Sequence, residues 1–352
     1  MITIGVDAHK RVHAAVAIDG SGHELRQWRG GTSPADGRRL ATWAEALDSD
    51  RRWGIEGSHQ YGRGLAQQLV AAGETVVEVN PRLTAIMRRG GRERGKSDRL
   101  DALAVARVVA QDGAALPVVT STDASAVLAE LAADRASALA EATRLRNQLH
   151  QVLHQLSAVD DRAWPDLTDA DTVATLTAYQ APGSDPVLAA CALRVRHLST
   201  RLELALRQEA ATRRAIVQLG HPHLEPLRAI CGVADLSAGL LAAELGGHRF
   251  TTDAQLASYA GVAPLEASSG EHTRHRLNRT GNRQLNALLH RIALVQLRCD
   301  PHAKAYVARR QREGKTQREA VRCLKRFVAR RVFHAWQQCT LPPLAQLEVP
   351  LI

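Results

Sequence analysis

The order of short apolar segments and helical segments between Ile2 and Asp112 constrains the fold more than any other feature of this chain. Ile2-Thr3-Ile4-Gly5-Val6-Asp7 reads as a strand ending in an acid, Val12 to Ile18 as a second strand, and Glu24 to Gly30 as a third with polar alternation. The short link from Ala8 to Arg11 predicts an antiparallel hairpin. Ser33 to Leu47 is helical, with Leu40, Trp43, Ala44 and Leu47 on one side. Arg52 to Gly57 is another strand with an acid, Glu56, at its end; His59 to Ala72 is a helix, and Thr75 to Val79 a strand stopped by Asn80-Pro81. A helix starting at Asp98 closes the series, so the predicted order is βββαβαβα. No GxGxxG opens the first helix, which argues against a dinucleotide-binding sheet.

The closing helix has a sharp start. Ser97 is a natural N-cap, and Asp98 and Asp101, three apart in the first turn, share one face. The helix macrodipole by itself favours acids there. Two carboxylates so close also repel unless a cation lies between them, and a hard divalent ion takes oxygen ligands of this kind. The strand-end acids Asp7 and Glu56 bring the count to four and favour the second reading. The whole arrangement is similar to the ribonuclease H-like fold in the RuvC variant, where strand-end acids and a late helix converge on divalent metal. Just upstream, Gly90-Gly91-Arg92-Glu93-Arg94-Gly95-Lys96-Ser97 matches the Walker A pattern letter for letter. A P-loop follows directly on a buried strand. Here Pro81 to Arg89, with Arg82, Arg88 and Arg89, intervenes, so a basic loop near nucleic acid is the better account.

Pro117 separates this first part from a long helical one. From Ala138 the apolar residues Ala142, Leu145, Leu149, Val152 and Leu156 follow in steps of four and three, a heptad seam. After a break from Trp164 to Pro186, Leu188 to Leu219 forms a second long helix with Leu198, Leu202 and Leu206 on one side, and the two predict an antiparallel helical hairpin. Leu227 to Val233 and Ala238 to Leu245 read as helix, glycine turn, helix, resembling a helix-hairpin-helix. The expected division is an α/β catalytic domain over 1–115, a helical coiled-coil over 116–222, and a mainly helical domain over 223–352.

Ala267-Ser268-Ser269-Gly270 precedes a cationic cluster of Arg274, Arg276, Arg279 and Arg283, a setting suited to presenting a hydroxyl to a phosphodiester. In the last helix, Thr316 to Trp336, Val321, Leu324, Val328 and Val332 face inward, while Arg318, Arg322, Lys325, Arg326 and Arg330 are expected mostly outward. From Arg291 to Arg331 thirteen Lys and Arg stand against three acids. With a net charge of +10, that excess points to a phosphate-tracking surface. The five cysteines are scattered without CxxC or zinc spacing, and no apolar run spans a membrane, which predicts a reduced cytoplasmic protein.

Gly5-Val6-Asp7-Ala8-His9-Lys10, Glu56-Gly57, Asn80-Pro81 and Lys96-Ser97-Asp98-Arg99-Leu100-Asp101-Ala102 resemble the DEDD transposases of bacterial insertion sequences, the family founded on insertion sequence one-ten. Tyr259-Ala260-Gly261-Val262-Ala263-Pro264, Ser268-Ser269-Gly270 and Arg279-Thr280-Gly281-Asn282-Arg283 resemble that family's second domain. The resemblance implies a bacterial recombinase acting at the nucleoid. Its acidic quartet maps onto Asp7, Glu56, Asp98 and Asp101 and holds Mg²⁺, and its nucleophilic serine maps onto Ser269, with Ser268 the near alternative. It further implies donor and target DNA as substrates, a structured non-coding bridge RNA as guide, and a homodimer or homotetramer. Leu265 and Glu266 depart from the residues expected there. The rival reading is a structure-selective endonuclease, such as a Holliday-junction resolvase, using the same quartet with water as nucleophile.

Overall fold

The computed structural model describes residues 1–90, 97–156, 166–266, 275–278 and 281–347. It divides into two units, one made of Met1–Ala126 with Leu224–Leu347 and the other of Val127–His223. In chain order the first part runs β1 (Ile2–Ala8), β2 (His13–Ile18), β3 (Glu24–Gly30), α1 (Pro34–Glu45), β4 (Arg51–Glu56), α2 (Arg63–Ala71), β5 (Val76–Val79), α3 (Pro81–Gly90), α4 (Asp98–Asp112) and β6 (Val118–Val119). The helical stretch follows as α5 (Ala124–Leu156), α6 (Ala170–Leu176) and α7 (Pro186–Gly220). The remainder comprises α8 (Glu225–Arg228), α9 (Asp235–Leu245), β7 (His248–Arg249), α10 (Asp253–Tyr259), β8 (Leu265–Glu266), β9 (His275–Arg276), α11 (Arg283–Cys299), α12 (Pro301–Arg312) and α13 (Gln317–Trp336).

The main sheet has the order β3-β2-β1-β4-β5-β6-β7. The first three strands form the expected antiparallel meander, and β4 and β5 add in parallel to β1. This 3-2-1-4-5 order with a reversed second strand is the ribonuclease H-like arrangement. β6 and β7 continue the sheet antiparallel, so a strand from the C-terminal part completes it. The polar, largely exposed β3 forms the other edge, where charged side chains discourage further pairing.

Side-chain alternation along β1 and β4 sorts the two faces. Ile2, Ile4, Val6, Trp53 and Ile55 pack with Leu40 and Ala44 of α1 and Leu65 and Leu69 of α2. The opposite face, with Gly5 and Gly54, receives α4. A β-carbon at Gly5 would lie 2.2 Å from the Ala106 nitrogen and 2.3 Å from the Ala102 oxygen, and one at Gly54 would lie 2.2 Å from Val109 Cγ2. The helix backbone therefore rests directly on the sheet at Gly5. It runs back along β1 from the sheet's carboxyl edge.

One helix is absent from the predicted order. Residues Pro81–Gly90 form α3, because Asn80 Oδ1 accepts from the Arg82 amide at 2.9 Å and Pro81 occupies the first helical position. A helix, not a strand, thus leads into the Walker-like segment; its residues 91–96 lie outside the described residues. Asp169-capped α6 likewise falls inside the predicted break.

In the second unit, the heptad residues Ala142, Leu145, Leu149, Val152 and Leu156 are buried in one cluster with Val195, Leu198 and Leu202. Arg135 pairs with Glu209 at 2.7 Å and Arg201 with Glu141 at 2.8 Å, so α5 and α7 run antiparallel as expected. In the first unit, Gly232 (φ +87°) turns the chain between α8 and α9, and a β-carbon there would meet the Ile292 oxygen at 3.1 Å. That turn is packed on α11. Among the described residues no helix is long and apolar enough to cross a membrane.

Candidate active site

Asp7 and Glu56 end adjacent parallel strands and are Cα partners in the β1–β4 ladder. Period-two alternation turns both toward the α4 face. Ser97 caps α4 by accepting from the Leu100 amide at 3.3 Å, which sets Asp98 and Asp101 in the first turn at that same carboxyl edge. The ligand atoms of Asp7, His9 and Asp98 all lie within 4.8 Å of one another. His9 Nε2 is 2.9 Å from Asp7 Oδ2 and 3.7 Å from Asp98 Oδ1.

The four acids act on one another. Burial raises the Asp7 carboxyl above the usual range; His9 opposes this, and the charges of Asp101 and Asp98 add to it. Burial also raises Glu56, with Asp7 and Asp101 adding to the effect while Thr84 and Arg88 oppose it. His9 lies beside Asp7, and two of the acids have cationic neighbours, Arg29 at 3.3 Å from Asp98 and Arg88 against Asp101. Glu56 Oε2 is buried with no partner, and the Thr84 hydroxyl of α3 that faces this carboxylate lacks one of good geometry as well. A buried carboxylate oxygen without a donor, beside three further acids, is costly as it stands. The four carboxylates are hard oxygen donors of the kind a divalent cation takes, and His9 offers a nitrogen beside two of them.

His9 is the residue that sequence reasoning missed. Its signal was its position two residues beyond Asp7, which puts both on one side of an extended chain.

The second set of predicted residues is divided. Ser268, Ser269, Arg274 and Arg279 lie outside the described residues. The ends of the Ser-Ser-Gly segment are described: Leu265 pairs with Arg276 and Glu266 with His275 in the β8–β9 ladder. Arg276, Arg283 and Arg318 are exposed. A cavity of about 810 Å³ is lined by Arg82, Arg283, Arg318, Arg322 and Lys325, and among the described residues none that lines it is acidic. A second, of about 570 Å³, brings Arg276, Arg310, Lys315 and Arg322 together with Glu313 and Glu319.

The outward expectation fails for Lys325. It is only 8% exposed and donates to Asn286 Oδ1 at 2.7 Å, and burial pushes its ammonium pKa down. The amide of α11 opposite gives a polar partner inside the helix interface, so a cation stands where the amphipathic pattern placed the solvent. Arg326 pairs with Asp253 at 2.8 Å and ties α13 to α10.

A ribonuclease H-like sheet with carboxylates at its carboxyl edge defines a fold class with a candidate metal site. Two family models narrow this. One, described as a transposase of the DEDD IS110 type, matches residues 4–158, and one for the transposase IS116/IS110/IS902 family matches residues 224–308; together they span well over half of the chain. This chain belongs to the IS110 family of insertion-sequence transposases, enzymes acting on DNA.

Among its relatives, an uncharacterized 44.8 kDa protein of insertion element IS116 from Streptomyces clavuligerus is 26% identical over 95% of this chain and 94% of its own length. The 42 kDa protein of IS900 from Mycobacterium paratuberculosis is 25% identical, with 92% of each chain covered. A 43.6 kDa IS110 protein from Streptomyces coelicolor is 38% identical, but that match spans 30% of this chain and 27% of the relative. A solved structure of Thermus thermophilus RuvC with a Holliday-junction substrate aligns over 32% of this chain and 95% of its own, at 16% identity and a TM-score of 0.27. The fold assignment stands on strand order and direction.

Proposed function

We propose that this protein is the recombinase of its insertion sequence, cutting and rejoining DNA strands by serine attack on phosphodiesters. The observation that carries this reading is the gathering of Asp7 and Asp98 with His9 at one edge, with Asp101 and Glu56 close enough to share their electrostatics and a Glu56 oxygen buried and unpartnered. The four acids would hold Mg²⁺, which when bound neutralises phosphate charge and polarises the phosphoryl group. The chain's own groups do the remainder. Arg276, Arg283, Arg318 and Arg322 line a basic surface whose guanidiniums match phosphate oxygens in pairs and hold the backbone. By family resemblance Ser269 is the nucleophile, with Ser268 as its near alternative. Its hydroxyl oxygen bonds to phosphorus while the bond to the 3′ oxygen breaks; the serine proton is released and the 3′ oxygen gains one. The product is a 5′-phosphoserine link beside a free 3′-OH, which conserves the bond energy for rejoining to a second strand.

Donor and target DNA are the substrates of this reading, with a structured non-coding RNA as guide and a homo-oligomer as the acting form. A suicide substrate tests the chemistry: the wild-type chain should become covalently attached to DNA, and Ser269→Ala should not, while retaining nucleic-acid binding. Cleavage without any adduct would instead assign water as the nucleophile and a resolvase-like endonuclease. Omission of the RNA should abolish pairing of donor with target, and undiminished recombination without it would remove the guide from the reading.

A further inference from the structure

A second group of metal-ligating side chains lies apart from the four acids. His59 follows β4 three residues beyond Glu56, Glu78 is on β5, and His248 opens β7. His59 Nε2 is 2.7 Å from His248 Nε2 and 3.2 Å from Glu78 Oε2, and His248 Nε2 is in close contact with that same carboxylate oxygen. The three atoms form a triangle, and protons alone serve it poorly. A neutral imidazole nitrogen either donates or accepts. With hydrogens on both Nε2 atoms, two N–H groups face each other across 2.7 Å. With a hydrogen on only one, the other nitrogen's lone pair faces the Glu78 oxygen. A cation at the centre is attracted to all three lone pairs.

We propose that His59, Glu78 and His248 bind one borderline divalent transition-metal ion of the Zn²⁺ class. Two imidazoles and one carboxylate are a donor set such ions take, with a fourth position left to water. Water has a route in, since the His59 side chain is 41% exposed while that of His248 is 1% exposed. The approach of the rings is built into the backbone. Gly247 has φ +72°, and a β-carbon there would lie 2.9 Å from His59 Cε1, so a side chain at 247 would fill the space the ring occupies. Tyr259, 5.1 Å from His248 between ring centroids, and Phe250 wall the inner side.

Zinc ligands at about 2.0–2.1 Å in a tetrahedron stand roughly 3.3 Å apart, so binding spreads the two nitrogens by about half an ångström. Among the described residues, His248 Nδ1 is buried without a partner and no carboxylate orients the ring from behind. Affinity is therefore expected to be roughly 10–100-fold below that of a fully supported site. The ion would clamp the segment just after Glu56 to a strand contributed by the C-terminal part, both within the first unit. This site is independent of the recombinase reading.

Cobalt(II) titration of the chelator-treated full-length protein tests it. With excess Mg²⁺ present to occupy the four acids, the wild-type chain should take up one equivalent with visible d–d bands, zinc should displace it, and zinc should raise the unfolding midpoint by a few degrees. His59→Gln, at a position 41% exposed, and Glu78→Gln should each abolish the bands. Asp98→Asn should keep them, which separates this site from the four acids. The proposal is overturned if no stoichiometric uptake occurs, or if His59→Gln retains it. It is equally overturned if the bands are thiolate-to-cobalt charge transfer, which would assign the ion to Cys231 and Cys299, whose sulfurs lie 3.7 Å apart.

Discussion

At the scale of single residues, Glu56 sets function against stability. Its carboxylate is desolvated, lies among like charges and has one oxygen with no donor. Glu56→Gln removes the charge while keeping the shape. It should leave the metal-free protein as stable as wild type or more so, yet reduce strand cleavage by at least about 100-fold, the scale on which one group stabilising a charged transition state acts. Thermal unfolding and single-turnover cleavage measured side by side check the two signs. Asp7 and Glu56 also give a pH dependence. Because their folded pKa values lie above the ordinary carboxylate range, the folded chain binds more protons than the unfolded one between the two values. Their contribution thus erodes metal-free stability as pH rises through that window. Saturating Mg²⁺ should reverse the slope there, since the cation binds the ionised form. Unfolding midpoints across that window, with and without Mg²⁺, read the difference. The positions of the four acids near strand ends and in the first turn of α4 were legible, because periodicity and capping locate element boundaries. Lys325 was misread because a helical pattern says which side is apolar, not which polar residue finds a partner inside.

At the scale of elements, the site depends on how closely α4 lies against β1. Gly5→Ala places a methyl group 2.2 Å from the Ala106 nitrogen, and that obstacle is backbone, which cannot swing away. Overpacking of this kind costs at least about 1–3 kcal/mol. The shift of α4 should carry Asp98 and Asp101 off the edge, so Mg²⁺ affinity falls along with the midpoint, as calorimetric titration would show. Ser97→Ala is the milder relative: loss of the N-cap costs about 1 kcal/mol and frays the turn bearing both acids. The element order was readable for the sheet, since buried strands and amphipathic helices differ in period. The helix α3 was overlooked although Asn80-Pro81 is a start signal as well as a stop. Its Arg88 and Thr84 supply the contacts to Asp101 and Glu56 that only the folded chain reveals.

At the scale of the whole molecule, a chain of net charge +10 concentrates exposed arginines on a surface lined by α11 and α13. Arg318→Ala should weaken nucleic-acid binding about equally for all sequences and lower the salt slope by about 1, measured as affinity against salt concentration. Lys325→Ala should behave differently, costing about 1–3 kcal/mol of stability through the abandoned Asn286 partner. What the sequence determined by itself was local: strand and helix periods, caps, the four acids near their element ends, the heptad seam and the sign of the surface. Tertiary structure alone decided that His59, Glu78 and His248 meet, that β7 joins a sheet begun by β1, and that Arg88 answers Asp101. The physical reason is range. Periodicity and capping act over a few residues, whereas His59 and His248 are 189 positions apart and are brought together only by the packing of the whole first unit.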